Sequence, residues 1–432
     1  MGFPKAVIGR SSILNLAMQT AIKAKRIVDG TGAVPLDDGV LLIDGNVIMD
    51  VGTEESVRIP EGTEVITLPD DETLLPGLID GHNHPSLCWY LKNYLTLVND
   101  PHEHLFLRAI KNFQINLRSG VTSIRCLAEK GFVDLLYRRA VEQGLVVGPR
   151  IKTCTRGFRF ERGHGFLGTP VQNVEELRHG FAENVEAGAD FLKFFVTGTV
   201  LVDREMPSFM TQDEIQAAVA AAHDLGKEVA VHAVGGQGLH DCLSAGVDCI
   251  EHGYFVDDEA IARMKSVGCW LVITSGIFFD DEAIDNLHSR ELQEALREQR
   301  PIVRKSLTKA INADLKAAVG TDGLVGKIAD EICFLVAAGM SSLEAIRVAT
   351  LQGARLLGID DEAGSLERGK RADVISVVGN PLEDISVLEN VHLVMKDGQR
   401  LDLILDQMST LDEREAVKSR YTGRRSTAGA SN

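Results

Sequence analysis

LLPGLIDGHNH, residues 74–84, is an apolar run that ends in two histidines spaced i, i+2. Read as a strand, it sends His82 and His84 to the same side, because side chains alternate with a period of two. Two neutral imidazoles placed this way can hold one metal ion between them. An HxH pair arises by chance in long chains, so its weight depends on what surrounds it.

Moving outward, seven further apolar segments of strand length follow: VTSIRCL (121–127), RIKTCTR (150–156), DFLKFFV (190–196), EVAVHAV (228–234), DCIEHG (248–253), CWLVITS (269–275) and KAAVGTD (316–322). Amphipathic helical patterns separate them. In TQDEIQAAVAAAHDLG (211–226), Thr211 with Glu214 three residues on is a capping box. Eight β–α alternations in one stretch predict an α/β protein built on a (β/α)8 TIM barrel over residues 76–368. Segment 341–358, SSLEAIRVATLQGARLLG, reads as an amphipathic helix. Residues 18–70 and VHLVMKDGQRL are β-patterned, and Asp44, Gly45 and Asn46 supply hairpin chemistry. We therefore expect a small β-sandwich domain built from both chain ends, 18–75 and 369–405, and a polar tail over 406–432.

Composition narrows the function. The chain has 432 residues, enough for a barrel of roughly 250 residues plus a smaller domain. Its 45 Lys and Arg against 62 Asp and Glu give a net charge of −17, which argues against nucleic acid or an anionic membrane as partner. No run approaches the roughly 20 apolar residues of a membrane span. The first 17 residues are weakly apolar and interrupted by Gly9, Arg10, Ser11, Ser12 and Asn15, so no secretory signal is expected, and Met18 is an alternative start. Seven scattered cysteines without CxxC spacing read as reduced thiols of a cytoplasmic protein. A small-molecule substrate and a homo-oligomer are the expected partners.

Barrel enzymes place their chemistry at the C-terminal ends of the strands. Besides His82 and His84, the ligand-type residues there are Lys193, His232, His252 and Asp322. Asp322 could ligate a metal, move a proton, or cap the following helix. Lys193 lies in an apolar strand. A protonated amine beside two divalent cations is repelled, and burial favours the neutral form. A neutral amine can take up carbon dioxide as a carbamate, an anionic bridging ligand; the duller alternative is an ion pair with a barrel carboxylate.

PGLIDGHNH, Lys193, His232, IEHG and GTD together resemble the amidohydrolase superfamily. GTGAVPLDDG, GADFLKFFVTG, EAIRVATLQGARLLGID and GSLERGKRADVISVVGNPLED resemble its imidazolonepropionase-related branch, which holds prolidase-like Xaa-Pro dipeptidases and N-acyl amino acid hydrolases. The resemblance implies that His82, His84 and Asp322 bind one metal and that His232 and His252 bind a second. A carboxylated Lys193 would bridge the two, with zinc as the expected ion. It further implies attack on a C–N amide bond by a hydroxide shared between the ions, with Asp322 as proton shuttle. Many branch members carry a His in the loop after the last strand; here GLVGKIADE (323–331) offers Lys327 and no His.

For substrate contacts, TRGFRFERGHG (155–165) supplies His164, a candidate to polarise the carbonyl or stabilise the oxyanion. Tyr254 could donate to a substrate carboxylate. Arg156, Arg159 and Arg162 put three cations in the same loop. Three rivals stand against this scheme. A mononuclear deaminase would place a Glu after the fifth strand, which HAVGGQG lacks. A hydrolase of carbamate, urea or aryl-amide bonds could use the same scaffold. A non-catalytic member should have lost ligands, yet all six are present.

Overall fold

Pro76 and Gly77 divide the opening run into two strands that serve different sheets. The computed structural model describes residues 19–402, so the proposed polar tail and the question of the first methionine lie outside the described residues. Eight strands form one sheet: β1 (Thr20–Ile27), β2 (Leu36–Asp44), β3 (Val47–Thr53), β4 (Glu64–Thr67), β5 (Glu72–Pro76) and, much later, β16 (Val374–Val378), β17 (Val391–Lys396) and β18 (Gln399–Arg400). The order is β18-β17-β16-β5-β1-β2-β3, with β4 beside β1, so both chain ends meet where β5 pairs β16. The β2–β3 hairpin closes through Gly45 at φ 58°, as its turn residues predict. Ile48 N–H donates to Lys370 O and Ala372 N–H to Asn46 O, which turns the outer strand β3 back onto the segment before β16. Hydrogen bonding thus unites in one curled sheet the strands that the sequence suggested would form a sandwich.

The remaining strands run parallel. β6 (Leu78–Asn83), β7 (Val121–Cys126) and β8 (Arg150–Thr153) form one run. β9 (Phe158–Phe160), β10 (Thr169–Val171), β11 (Leu192–Phe195), β12 (Val229–Gly235), β13 (Cys249–Phe255), β14 (Trp270–Ile273) and β15 (Ala317–Val319) form the second, in the order β10-β9-β11-β12-β13-β14-β15. Asp190 N–H donates to Thr153 O and Asp322 N–H to His82 O, both at 2.8 Å, linking the two runs on either side. Helices intervene between most successive strands, and the fold is α/β of the TIM-barrel type. The central strands β6, β7, β11, β12 and β13 are buried on both faces and therefore read as nearly continuous apolar runs.

Local chemistry explains the helices. Gln212–Asp224 starts at a complete Thr211–Glu214 capping box and buries Ile215, Ala218, Val219 and Ala222, an i, i+3, i+4, i+7 stripe against the strands. Burying each of the larger aliphatic chains contributes roughly 1.5–3 kcal/mol. The helix expected over 341–358 is instead α over Ser342–Arg347, π over Val348–Gln352 and α over Gly353–Leu356. The wide turn lies just before Gly353, where a Cβ would stand 2.9 Å from Ile79 of β6. All seven cysteines are free thiols, and six are buried. Among the described residues no helix is long and apolar enough to cross a membrane.

Candidate metal centre and active-site cavity

Strands β6, β11, β12 and β13, the residue just after β6 and the residue three beyond β15 bring His82, His84, Lys193, His232, His252 and Asp322 into one neighbourhood. His82 Nε2 lies 3.2 Å and His84 Nε2 3.3 Å from Asp322 Oδ1, and the two imidazole nitrogens are 3.3 Å apart. His82, His252 and Asp322 each offer a ligand atom within 4.8 Å of the others. The ring centroids of His252 are 4.7 Å from His82 and 4.5 Å from His232. His252 and Asp322 hold φ of 78° and 49°, in the left-handed region that is uncommon outside Gly but that Asp and His enter more readily than most side chains. Gly320 lets β15 pass directly against β6: a Cβ there would stand 2.4 Å from His82 Cβ.

Each inner imidazole is oriented through its other nitrogen, as metal-binding histidines require. His82 Nδ1 is 2.7 Å from Glu251 Oε2, His84 Nδ1 is 3.1 Å from Ala128 O, and His252 Nδ1 is 2.7 Å from Thr274 Oγ1. Glu251 also accepts from Arg125 Nη1 at 2.7 Å. Burial alone would raise the Glu251 carboxyl, but Arg125, then His82 and Lys193, hold it well below the usual range. Glu251 and Arg125 escape the sequence analysis; the visible signal was a pair of charges, in VTSIRCL and DCIEHG, inside otherwise apolar strands.

The charge state suits cations. Burial lowers His84, and it carries His232 and His252 well below the ordinary imidazole value, leaving lone pairs free. Burial would also lower His82, but Asp322 and Glu251 raise it, and a divalent ion would compete for that position with the proton. Asp322, despite burial that pushes upward, is held well below the usual range by His82 and His252. Lys193 is 1 % exposed, and its Nζ has no hydrogen-bond partner among the described residues. Burial lowers its pKa, so the amine is drawn toward the neutral form. The ion pair considered for it is not made. Three or four neutral nitrogens, one carboxylate and an orphaned buried amine are a donor set that fits divalent metal.

A cavity of about 320 Å³ opens from these residues. Its wall is largely apolar, with Leu87, Leu95, Phe195, Phe209, Leu292 and Leu296 among the lining residues. His164 stands in it, its ring centroid 4.9 Å from that of His232 and its Nε2 2.8 Å from Thr199 Oγ1. Burial lowers its pKa to about 4. Tyr254 also lines the cavity, but its hydroxyl is engaged by Thr274 O at 3.0 Å, Thr274 Oγ1 at 2.7 Å and His252 Nδ1 at 3.2 Å. It braces His252 and is not a free donor to substrate.

The arginines must be corrected. Arg156 turns away from the cavity: it bonds Asn184 Oδ1 at 3.0 Å and Glu183 Oε2 at 2.7 Å, and stacks 4.3 Å from the Phe132 ring. Arg159 bonds the carbonyls of Phe160 and Glu161 in its own loop. Arg162 pairs with Glu214 at 3.2 Å. The loop 155–165 contains β9, its arginines are engaged by Asn184, Glu183, Glu214 and loop carbonyls, and among the described residues no Lys or Arg lines the cavity.

With this geometry established, comparison with known proteins agrees. Residues 73–401 match the family model described as the Amidohydrolase family, and the chain belongs to it. It is therefore a hydrolase acting on C–N bonds. The chain is similar to the ochratoxinase of Aspergillus niger, 28 % identical over 420 residues, covering 88 % of this chain and 85 % of that protein. It is similar in structure to a Xaa-Pro dipeptidase with methionine bound in the active site, with a TM-score of 0.77, 33 % identity, and 88 % and 99 % of the two chains covered. A prolidase complexed with N-methylphosphonate-L-proline gives a TM-score of 0.78 at 26 % identity, covering 89 % of this chain and 99 % of that one.

Proposed function

We propose that this chain is a binuclear metal-dependent amidohydrolase that cleaves a C–N amide bond in a substrate with large apolar groups. The convergence of His82, His84 and Asp322 on one point, beside His252, His232 and an unpartnered buried lysine, carries this reading. In it His82, His84 and Asp322 would hold one ion, His232 and His252 would hold a second, and Lys193, carboxylated on its amine, would add an anionic ligand. Such a pair of ions, zinc being the best match to nitrogen and oxygen donors, makes water acidic near neutral pH and polarises a carbonyl.

The side chains do the rest. Asp322 keeps its charge at neutral pH and reaches the cavity, where its side chain is 23 % exposed, so it can take the proton of the attacking water and return it to the leaving nitrogen. His164 is neutral above a pKa of about 4 and can donate an N–H to the carbonyl oxygen as negative charge develops there. The apolar wall excludes water and strengthens both interactions.

The dipeptidase and prolidase named above favour a dipeptide of Xaa-Pro type as substrate, and the family resemblance adds an N-acyl amino acid. A second reading, an uncharged aryl amide, carbamate or urea, is favoured by the cavity wall itself, which among the described residues offers a carboxylate no lysine or arginine. Metal analysis of the purified protein should give close to two ions per chain, and turnover should be measured on Xaa-Pro dipeptides, N-acyl amino acids and aryl carbamates. Hydrolysis of an amide that stops on metal removal supports the proposal; a single ion with an unmodified Lys193 refutes the bridging scheme.

A further inference from the structure

We infer that Gln299 is a positioning residue that acts on His164 through a short backbone arm. Gln299 grips both backbone groups of Leu201 and so sets the arm, residues 197–208. Thr199 on that arm then holds the His164 ring by Nε2, which makes Nδ1 the nitrogen offered to a ligand. What His164 does for the reaction rests on the amide-hydrolase reading above; the link from Gln299 to His164 does not.

The arm follows β11 and doubles back on itself. Antiparallel bridges Thr197–Ser208 and Val202–Glu205 close its base and its tip. Gly198 N–H donates to Pro207 O at 3.0 Å, and Val202 and Glu205 exchange two bonds of 2.9 Å. The tip turns through Asp203 and Arg204 at φ 50° and 70°. Between base and tip, the hydrogen bonds of residues 199–201 among the described residues all come from outside the arm. Gln299 Oε1 accepts from Leu201 N–H at 2.8 Å, and Gln299 Nε2 donates to Leu201 O at 3.0 Å, as a neighbouring strand would. Thr199 Oγ1 lies 2.8 Å from His164 Nε2.

The sequence of the helix Arg290–Ile311 explains the grip. Leu292, Leu296, Gln299 and Val303 fall on one face, at i, i+4, i+7 and i+11, so Gln299 is an amide in an apolar stripe. Leu292 and Leu296 line the cavity, and so do Thr199, Val200 and Val202 of the arm. Gln299 therefore ties one wall of the cavity to another. The direction of the last bond follows from counting donors. Among the described residues the Thr199 hydroxyl meets only His164 Nε2. Its proton finds an acceptor only if Nε2 keeps the lone pair, which puts the imidazole proton on Nδ1. The other tautomer would leave the hydroxyl proton unmatched beside a largely apolar wall.

The test uses the zinc-loaded full chain with isotope-labelled histidine. It compares wild type, Gln299→Leu, Thr199→Val, His164→Asn and the double variant Gln299→Leu/His164→Asn. Ring-nitrogen NMR shifts at neutral pH, without substrate, report which nitrogen carries the proton, and the signal missing in His164→Asn identifies His164. Wild type should show one tautomer, protonated at Nδ1. Thr199→Val and Gln299→Leu should each replace it by a mixture of the two. Turnover is measured on Phe-Pro and N-benzoylphenethylamine. On a probe that is cleaved, kcat should fall about tenfold in each single variant, the worth of one good hydrogen bond, with KM within about twofold. In the His164→Asn background, Gln299→Leu should cost nothing more. A His164 signal that Gln299→Leu leaves unmoved, even with a lower melting temperature, would reduce the grip to a structural brace and overturn the inference. So would a wild-type proton on Nε2, or a further tenfold loss from Gln299→Leu once His164 is gone. Failure to cleave either probe would count against the hydrolase reading alone, since the histidine signal still decides the link.

Discussion

The two halves of the proposed metal centre are built differently. On the side of the first ion His82 and His84 are each locked through the ring nitrogen that faces away, by Glu251 and Ala128 O, before any ion is considered. On the other, Thr274 holds His252, but Lys193 Nζ has no hydrogen-bond partner among the described residues and His232 meets only Gly198 O at 3.3 Å. A region that is pre-oriented binds without ordering cost, whereas one left open must be completed by chemistry from outside. The contrast teaches that the first position should load readily, and that the second should depend on carbon dioxide as well as on metal.

The largest effect should come from the residue that is both proposed ligand and proton carrier. Asp322→Asn removes the charge that His82 and His84 face and the proposed proton carrier, and kcat should fall by ~10²–10⁴-fold, read in steady-state turnover of an amide substrate. Next, Lys193→Met keeps the apolar volume and removes the amine. Elemental analysis should then find one ion per chain fewer, with kcat/KM down on the order of 10²-fold or more. Two ions retained at full activity would erase the asymmetry between the halves.

Glu251→Gln tests the braced half. The carboxylate that holds His82 and pairs with Arg125 becomes neutral, and metal affinity should fall by about 10–100-fold in a competitive chelator titration. Loss of the second ion alone would place the bracing on the wrong side.

A smaller effect is expected at Glu129, beside the carbonyl that orients His84. Its side chain is wholly buried, accepts one bond from Ser86 N–H, and is pushed up to about 8 by burial. The folded state therefore binds the proton more tightly than the unfolded chain does. The stability this contributes is complete below pH about 4.5 and is lost as pH rises through about 8. Glu129→Gln should flatten that slope, gaining about 1–3 kcal/mol over wild type at pH 8 and little at pH 4.5 in denaturant titrations. A wild-type protein whose stability rises across that window would contradict this assignment.

Most of the parallel strands were legible because the central ones are buried on both faces and so leave a largely apolar run. The ligand types stand out for the same reason: a His or Lys in such a run has few structural excuses. Three things were hidden. The split at Pro76–Gly77 depends on Asp373, almost 300 residues away, whose carbonyl takes the Gly77 N–H. The strands Phe158–Phe160 and Thr169–Val171 are too short to leave a period. Tyr94 opens a short 3-10 helix, Tyr94–Asn99, that Lys92 and Asn93 tie to Asp285 and Asn286, almost 200 residues away.

The arginines of that β9 loop mark the limit of reading charge as purpose, and Arg156→Ala, the smallest effect expected, sharpens the point. A guanidinium in a loop near an active site could serve substrate, yet Arg156 finds closer work. Asn184 Oδ1 and Glu183 Oε2 take its N–H groups, and the Phe132 ring takes its face. Glu183 is held below its ordinary value by that hydrogen bond and then by the charge, but the pair is partly open to water, so its worth is modest. Truncation should therefore cost about 1 kcal/mol of stability, mostly lost stacking, and leave kcat/KM within about twofold. If instead KM rose tenfold for carboxylate-bearing substrates and not for neutral ones, the guanidinium would have to reach the cavity during turnover. The wall would then be cationic after all, and the case for an uncharged substrate would weaken with it.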